Sequence, residues 1–185
     1  YANYPLGWGM ASNTPLKRYK QNTHGGGIRD PLVISWPRGI AARGETRHQF
    51  AHACDLAPTL LELVGVAPPE QVNGIKQMPI EGVSFAAALR DPAAPSKDRP
   101  QYFEMFGHRG LVHGGWKAVA YHAPETPFEN DRWELYHLAR DVSESRDLAA
   151  EQPEKLKELV ELWWREAERC QVLPLDDRFR QRFAE

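Results

Sequence analysis

Apolar residues along this chain fall into successive patterns. Through residue 30 no apolar period survives more than a few positions, and Pro5, Gly7, Gly9 and Pro15 punctuate a stretch rich in Asn, Thr, Gly and Tyr, which reads as a long structured loop. Pro31-Leu32-Val33-Ile34-Ser35-Trp36-Pro37 then forms a continuous apolar run bracketed by prolines. That is the pattern of a strand buried on both faces, read as a central strand of a parallel sheet. From Asp55 the period becomes helical: Asp55 is a candidate cap, Pro58 sits in the first turn, Leu56, Leu60, Leu63 and Val64 share a stripe, and Gly65 supplies a stop. Ser84 ahead of Phe85-Ala86-Ala87-Ala88-Leu89 predicts a second, shorter helix ended by Asp91-Pro92.

Beyond a Pro- and Ala-rich boundary at 91–100, the period changes to alternation. Gln101 to Phe106, Leu111 to His113, Trp116 to Tyr121 and Trp133 to Leu138 read as strands. Gly114-Gly115 marks a hairpin, because primed turns need positive φ at their central residues. Pro153 opens a helix whose Leu156, Leu159, Val160, Trp163, Trp164 and Ala167 recur at helical spacing and must lie on a sheet. The expected architecture is an α/β portion over 1–95, a partial sheet-and-helix domain, followed over 96–185 by a small α+β domain, an antiparallel sheet covered by the C-terminal helix.

Composition changes this picture little. The 185 residues carry 23 Lys and Arg against 25 Asp and Glu, a net charge of −2, with 42% hydrophobic residues, enough for a packed core. Without a basic stripe no nucleic-acid partner is expected, and without a long apolar run no membrane span. Cys54 and Cys170 match no zinc spacing and are expected to be buried and inert. Two cysteines are compatible with cytoplasm or periplasm. The chain opens at Tyr1 with no methionine, charged leader or apolar signal stretch, and is expected to be a piece of a longer protein.

The richest chemistry lies in Lys20-Gln21-Asn22-Thr23-His24-Gly25-Gly26-Gly27-Ile28-Arg29-Asp30-Pro31. Lysine and histidine on a glycine-rich loop that feeds an apolar run suit a tetrahedral oxyanion such as sulfate or phosphate. The same His-Gly-Gly-Gly could serve as an esterase oxyanion loop, but that needs a G-x-S-x-G elbow. Gly82-Val83-Ser84-Phe85-Ala86 lacks the last glycine. His48, His52 and Cys54 lack the glutamate and third ligand of a zinc motif and are read as polar residues near a helix start.

Taken together, four segments in order resemble the C-terminal part of a sulfatase, specifically a bacterial arylsulfatase. They are Lys20-x-x-Thr23-x-x-Gly26-Gly27-x-Arg29-x-Pro31 with the run after it, Asp55-Leu56-x-Pro58-Thr59-Leu60-Leu61-Glu62-Leu63-x-Gly65, Gly82-Val83-Ser84-Phe85, and Trp133 to Leu138 with Asp141, Glu144 and Asp147-Leu148-Ala149. The resemblance implies an alkaline-phosphatase-like fold that hydrolyses sulfate esters with a formylglycine nucleophile and a divalent cation, usually calcium. It makes Lys20 the sulfate-contacting lysine and sets His24 beside it as a pocket residue. A phosphonate or phosphodiester hydrolase of the same superfamily and a non-catalytic binding module are the alternatives.

Two departures accompany the likeness. Neither cysteine has proline two residues on and arginine four on, and residue 25 is glycine where the family often has glutamate. The nucleophile and the metal ligands are therefore expected upstream of Tyr1. The isolated chain is expected to be inactive, to bind no catalytic calcium and to self-associate through uncovered surface.

Overall fold

A computed structural model describes residues 4–41 and 44–178; Tyr1, where the chain opens, lies outside the described residues. The chain divides into two compact units, Leu32–Asp98 and a second that joins Tyr1–Pro31 to Arg99–Glu185. The described residues up to Pro31 therefore fall in one compact unit with the second half of the chain.

The larger unit is built on a four-stranded antiparallel meander, β3 (Gln101–Met105), β4 (His108–His113), β5 (Trp116–Ala120) and β6 (Trp133–His137), in that spatial order. Gly114 and Gly115 make the β4–β5 turn with φ of 57° and 77°, conformations that a residue with a Cβ adopts only with strain. Alternation sorts the two faces. Leu111, Ala118 and Leu135 form one, over which α5 (Pro153–Arg169) lays Leu159, Trp163 and Ala167. Trp163 is fully buried and its indole N–H donates to the Phe103 carbonyl at 3.1 Å, so the helix is keyed to β3 by a directed bond as well as by apolar area. Trp164, one position round the helix, is partly exposed.

The opposite face is polar where it matters, carrying Lys117, Glu134 and Tyr136, and the N-terminal segment folds over it. That segment is more structured than its composition suggests. It holds a short helix α1 (Leu6–Ser12), none of whose residues is buried, and a four-residue helical turn α2 (Gly25–Ile28) within the glycine triplet. Gly7 and Gly9 hide α1 from a propensity reading.

The smaller unit contains α3 (Leu56–Val64), a two-residue hairpin β1 (Gln71–Val72) and β2 (Ile75–Lys76), and α4 (Ala86–Arg90). The chain enters α3 through a 3₁₀ turn at Ala53–Asp55 capped by His52, whose ring accepts from the Cys54 amide. The Asp55 carboxylate accepts from the amides of His52 (2.8 Å) and Val83 (2.7 Å), so Asp55 ties two segments together beyond simple capping. Both cysteines are half-buried, contrary to the expectation of burial, and the Cys54 thiol lies 3.1 Å from Nδ1 of His52.

The Pro31–Pro37 run is not a strand. Val33 is 89% exposed and every residue from 32 to 36 is exposed. The physical reason is pairing: a strand apolar on both faces needs neighbours on both edges, and among the described residues every ladder belongs to the β1–β2 hairpin or to the four-stranded sheet. The apolar stripe of α3 likewise leaves Leu60 and Val64 exposed. No helix among the described residues is long and apolar enough to cross a membrane.

Candidate functional site

The loop from Lys17 to Ile28 is held to the polar face of the sheet at four points. Lys17 Nζ donates to Glu134 Oε2 at 2.8 Å and to the Tyr136 hydroxyl at 2.7 Å, and that hydroxyl also donates to Glu134. Thr23 Oγ1 donates to the Arg109 carbonyl at 2.9 Å across from Gly110, which leaves room for it. His24 places Nε2 3.3 Å from the same Glu134 oxygen. The Gly25 amide donates to both Glu144 oxygens, at 3.1 and 3.0 Å. Lys117 donates to Glu144 Oε1 at 2.5 Å, and both side chains of this pair are 1% exposed.

The glycines serve close packing. A Cβ on Gly26 would collide with the Arg18 carbonyl and one on Gly27 with the Asn22 carbonyl, so the loop can double back on itself only with hydrogen at both positions. The Asn13 amide nitrogen closes the bend by donating to the carbonyls of Arg18 and Gly26, each at 3.0 Å. Asn22, Thr23 and His24 are buried, whereas Lys20 and Gln21 at the tip are exposed, Gln21 in the left-handed region with φ 77°. The Lys20 ammonium makes no ion pair among the described residues. A cation thus stands out from a loop whose flanks are fixed.

Electrostatics beneath the tip follow from burial and pairing. Burial alone would raise the Glu134 carboxyl, but hydrogen bonds from His24, Lys17 and Tyr136 overcome it and hold Glu134 well below the usual carboxylate range. Burial, together with the bond to Glu134, pushes the Tyr136 phenol up. Burial pushes His24 below its ordinary value against the pull of Glu134, so its ring is neutral at pH 7. Nε2 then carries the proton to Glu134, and Nδ1 is buried without a partner. For Lys117, burial lowers and Glu144 raises, with burial the stronger.

Of the two residues singled out from the sequence, the structure sets Lys20 at the tip and His24 inside, 0% exposed. The supports were missed: Lys17, Lys117, Glu134, Tyr136 and Glu144. A signal for three of them was present, since Lys117, Glu134 and Tyr136 are polar at positions that alternate with the apolar Trp116, Ala118, Trp133 and Leu135.

The divalent cation implied by the resemblance does not fit the donors present. Among the described residues no three His, Cys, Asp or Glu side chains converge on a point, and the carboxylates of half-buried Glu134 and buried Glu144 are consumed by lysines, tyrosine and amide.

The model of the family described as N-sulphoglucosamine sulphohydrolase, C-terminal, matches residues 17–171, from the lysine under the loop to the end of the covering helix. An uncharacterised sulfatase of Schizosaccharomyces pombe is 31% identical over 158 residues, 84% of this chain and 28% of the relative. The crystal structure of Ps i-CgsB in complex with k-i-k-neocarrahexaose superposes with a TM-score of 0.61 at 26% identity, covering 89% of this chain and 33% of that one. A structure in complex with its substrate D-glucosamine-2-N,6-O-disulfate superposes with a TM-score of 0.54 at 25% identity, covering 80% and 30%. The chain spans 27–28% of the length of the first curated relatives it matches. With its loop, sheet and covering helix all inside the matched span, the chain belongs to the sulfatase family and corresponds to the C-terminal part of its members.

Proposed function

We propose that this chain is the C-terminal part of an enzyme that hydrolyses sulfate esters to an alcohol or phenol and sulfate, and that Lys20 is its sulfate-contacting lysine. One observation carries the reading: an exposed, unpaired ammonium at the tip of a loop whose following residues Asn22, Thr23 and His24 are buried, the last two bonded to the sheet. A compact point charge so held meets a sulfate oxygen without reorganising, and its attraction grows as negative charge builds on those oxygens during S–O cleavage. His24 acts from below: it is closed to substrate and donates a hydrogen bond to Glu134, fixing the loop at the residue before Gly25. The formylglycine and the divalent cation general to sulfatases are assigned to residues outside this chain.

The exposed Pro31–Pro37 run and the Leu60–Val64 stripe are assigned to contact with those same outside residues, the run as a strand of a larger sheet. Unpaired in the isolated chain, they favour self-association.

The arylsulfatase activity expected from the sequence is kept as the first assay, because an aryl sulfate demands little beyond a grip on the sulfate. The relative solved with disulfated glucosamine supports a sulfated saccharide as the natural ester. The deciding comparison is turnover of an aryl sulfate, a sugar sulfate, a phosphodiester and a phosphonate by the longest protein encoding this segment and by the 185-residue chain alone. The long protein is expected to release sulfate, and the short chain to release none. Turnover by the short chain would refute its assignment as an inactive fragment. A preference for the phosphorus esters would move the function to the phosphodiester or phosphonate hydrolases, and inactivity of both proteins on every ester would favour a binding module.

A further inference from the structure

Two residues before Lys20, Arg18 sits in the left-handed region with φ 64°, a conformation that costs a non-glycine residue free energy. Its guanidinium carbon lies 4.1 Å from the centroid of the Tyr121 ring, and Tyr121 stacks in turn on His108, with centroids 4.7 Å apart at 30°. His108 adds packing and no charge at neutral pH. Burial, with His122 and Arg18 nearby, brings it down to about 4, and its Nδ1 accepts the His122 amide at 3.0 Å.

The guanidinium is therefore oriented by a ring and, among the described residues, paired with no carboxylate. Its Nε is buried with no partner, and neither terminal nitrogen bonds to a described residue. Arg109, the other guanidinium packed among aromatic rings, is by contrast neutralised by Asp131. Strain, an aromatic platform and an unmatched charge coincide at one residue beside the proposed sulfate lysine.

We infer that Arg18 binds a second oxyanionic group of the substrate, a sulfate or carboxylate other than the one cleaved, so that the preferred ester is a saccharide carrying at least two negative groups. The inference rests on the reading of Lys20 as the sulfate contact. A planar guanidinium edge suits bidentate recognition of a fixed oxyanion, whereas the lysine ammonium suits a centre whose charge shifts during reaction. The two Cα atoms lie at most about 7 Å apart, so both cations rise from one short stretch of the same loop. Charge on the spectator group does not change on the way to the transition state, so Arg18 contributes equally to ground and transition states and its removal appears in KM.

The test uses the complete protein that carries this segment, with R18A, R18K and K20A, on a hexosamine 6-sulfate and on the same sugar with a second sulfate on its amine. R18A is expected to lower the ratio of kcat/KM for the disulfated over the monosulfated sugar about 10–100-fold, the loss lying in KM. R18K keeps a cation and an aliphatic stem over Tyr121 but not the fork, and its ratio is expected to fall between wild type and R18A; should R18A not fold, R18K alone decides. An unchanged ratio, or a loss in kcat shared by both sugars, overturns the inference. If K20A leaves turnover of both sugars intact, the underlying reading of the loop has failed. If K20A abolishes turnover and the Arg18 variants leave the ratio unmoved, only the second-anion contact has failed.

Discussion

Replacing Lys20 by alanine is expected to lower kcat/KM for a sulfate ester about 10²–10³-fold in the complete sulfatase, comparable to removing one donor from an oxyanion site. Conformational stability should stay within about 0.5 kcal/mol of wild type, as for a surface substitution away from special features. The separation follows from geometry. Lys20 is exposed and makes no ion pair among the described residues, while the bonds that hold the loop come from Lys17, Thr23, His24 and Gly25. Removing the ammonium therefore subtracts a charge from the ligand side and nothing from the fold. Since the attraction strengthens as charge gathers on the sulfate oxygens, most of the loss should lie in kcat. Steady-state kinetics with a chromogenic aryl sulfate, alongside urea denaturation, checks both halves. Unchanged kinetics would remove Lys20 from the site, and a large fall in stability would show that it holds the loop rather than the ester.

Where local chemistry and period decide structure, the chain could be read directly. The stripe of α5, the Gly114-Gly115 turn and the four alternating strands all lie where the pattern put them, because each buries its apolar face against another part of the same unit. Pro31–Pro37 failed as a strand for the opposite reason: its apolar pattern speaks of neighbours that no described residue supplies. For the site, the sequence exposed the lysine and the glycines, which stand together in one short motif. Hidden was the pairing of the supports: alternation marks Glu134 as polar on one face of its strand, but neither it nor Glu144 shows in the sequence that it meets a loop more than a hundred residues away. The glycines have a packing role that the sequence alone left open: Gly26 and Gly27 let the backbone close against the carbonyls of Arg18 and Asn22.

The support with the most at stake is Glu144, and E144A is expected to destabilise the chain by about 3–5 kcal/mol, the usual cost of removing one partner from a buried ion pair. The reason is what remains behind. Lys117, 1% exposed, would keep an ammonium in the interior with no carboxylate at 2.5 Å, and the Gly25 amide would lose both of its acceptors. Glu144 itself adopts φ 55°, left-handed for a residue with a Cβ, so the backbone is strained where its carboxylate is delivered beneath the loop. The position is also specific in space, because a Cβ on Gly25 would stand 3.4 Å from Glu144 Oε1. The carboxylate from β6's following turn thus occupies the neighbourhood of a side chain that residue 25 lacks. That carboxylate braces the loop at the Gly25 amide. A double variant separates the ion pair from the brace: K117M/E144L removes both charges and should recover most of the lost stability, since apolar replacement of a buried pair is often neutral or better. It cannot restore an acceptor for the Gly25 amide, whose unmet burial costs about 1–3 kcal/mol. Urea unfolding of the chain measures the first effect, and hydrogen exchange at the Gly25 amide measures the second. Fast exchange at Gly25 in a stable double variant would show that Glu144 holds the loop; protection equal to wild type would show that the pair serves only the core of the sheet.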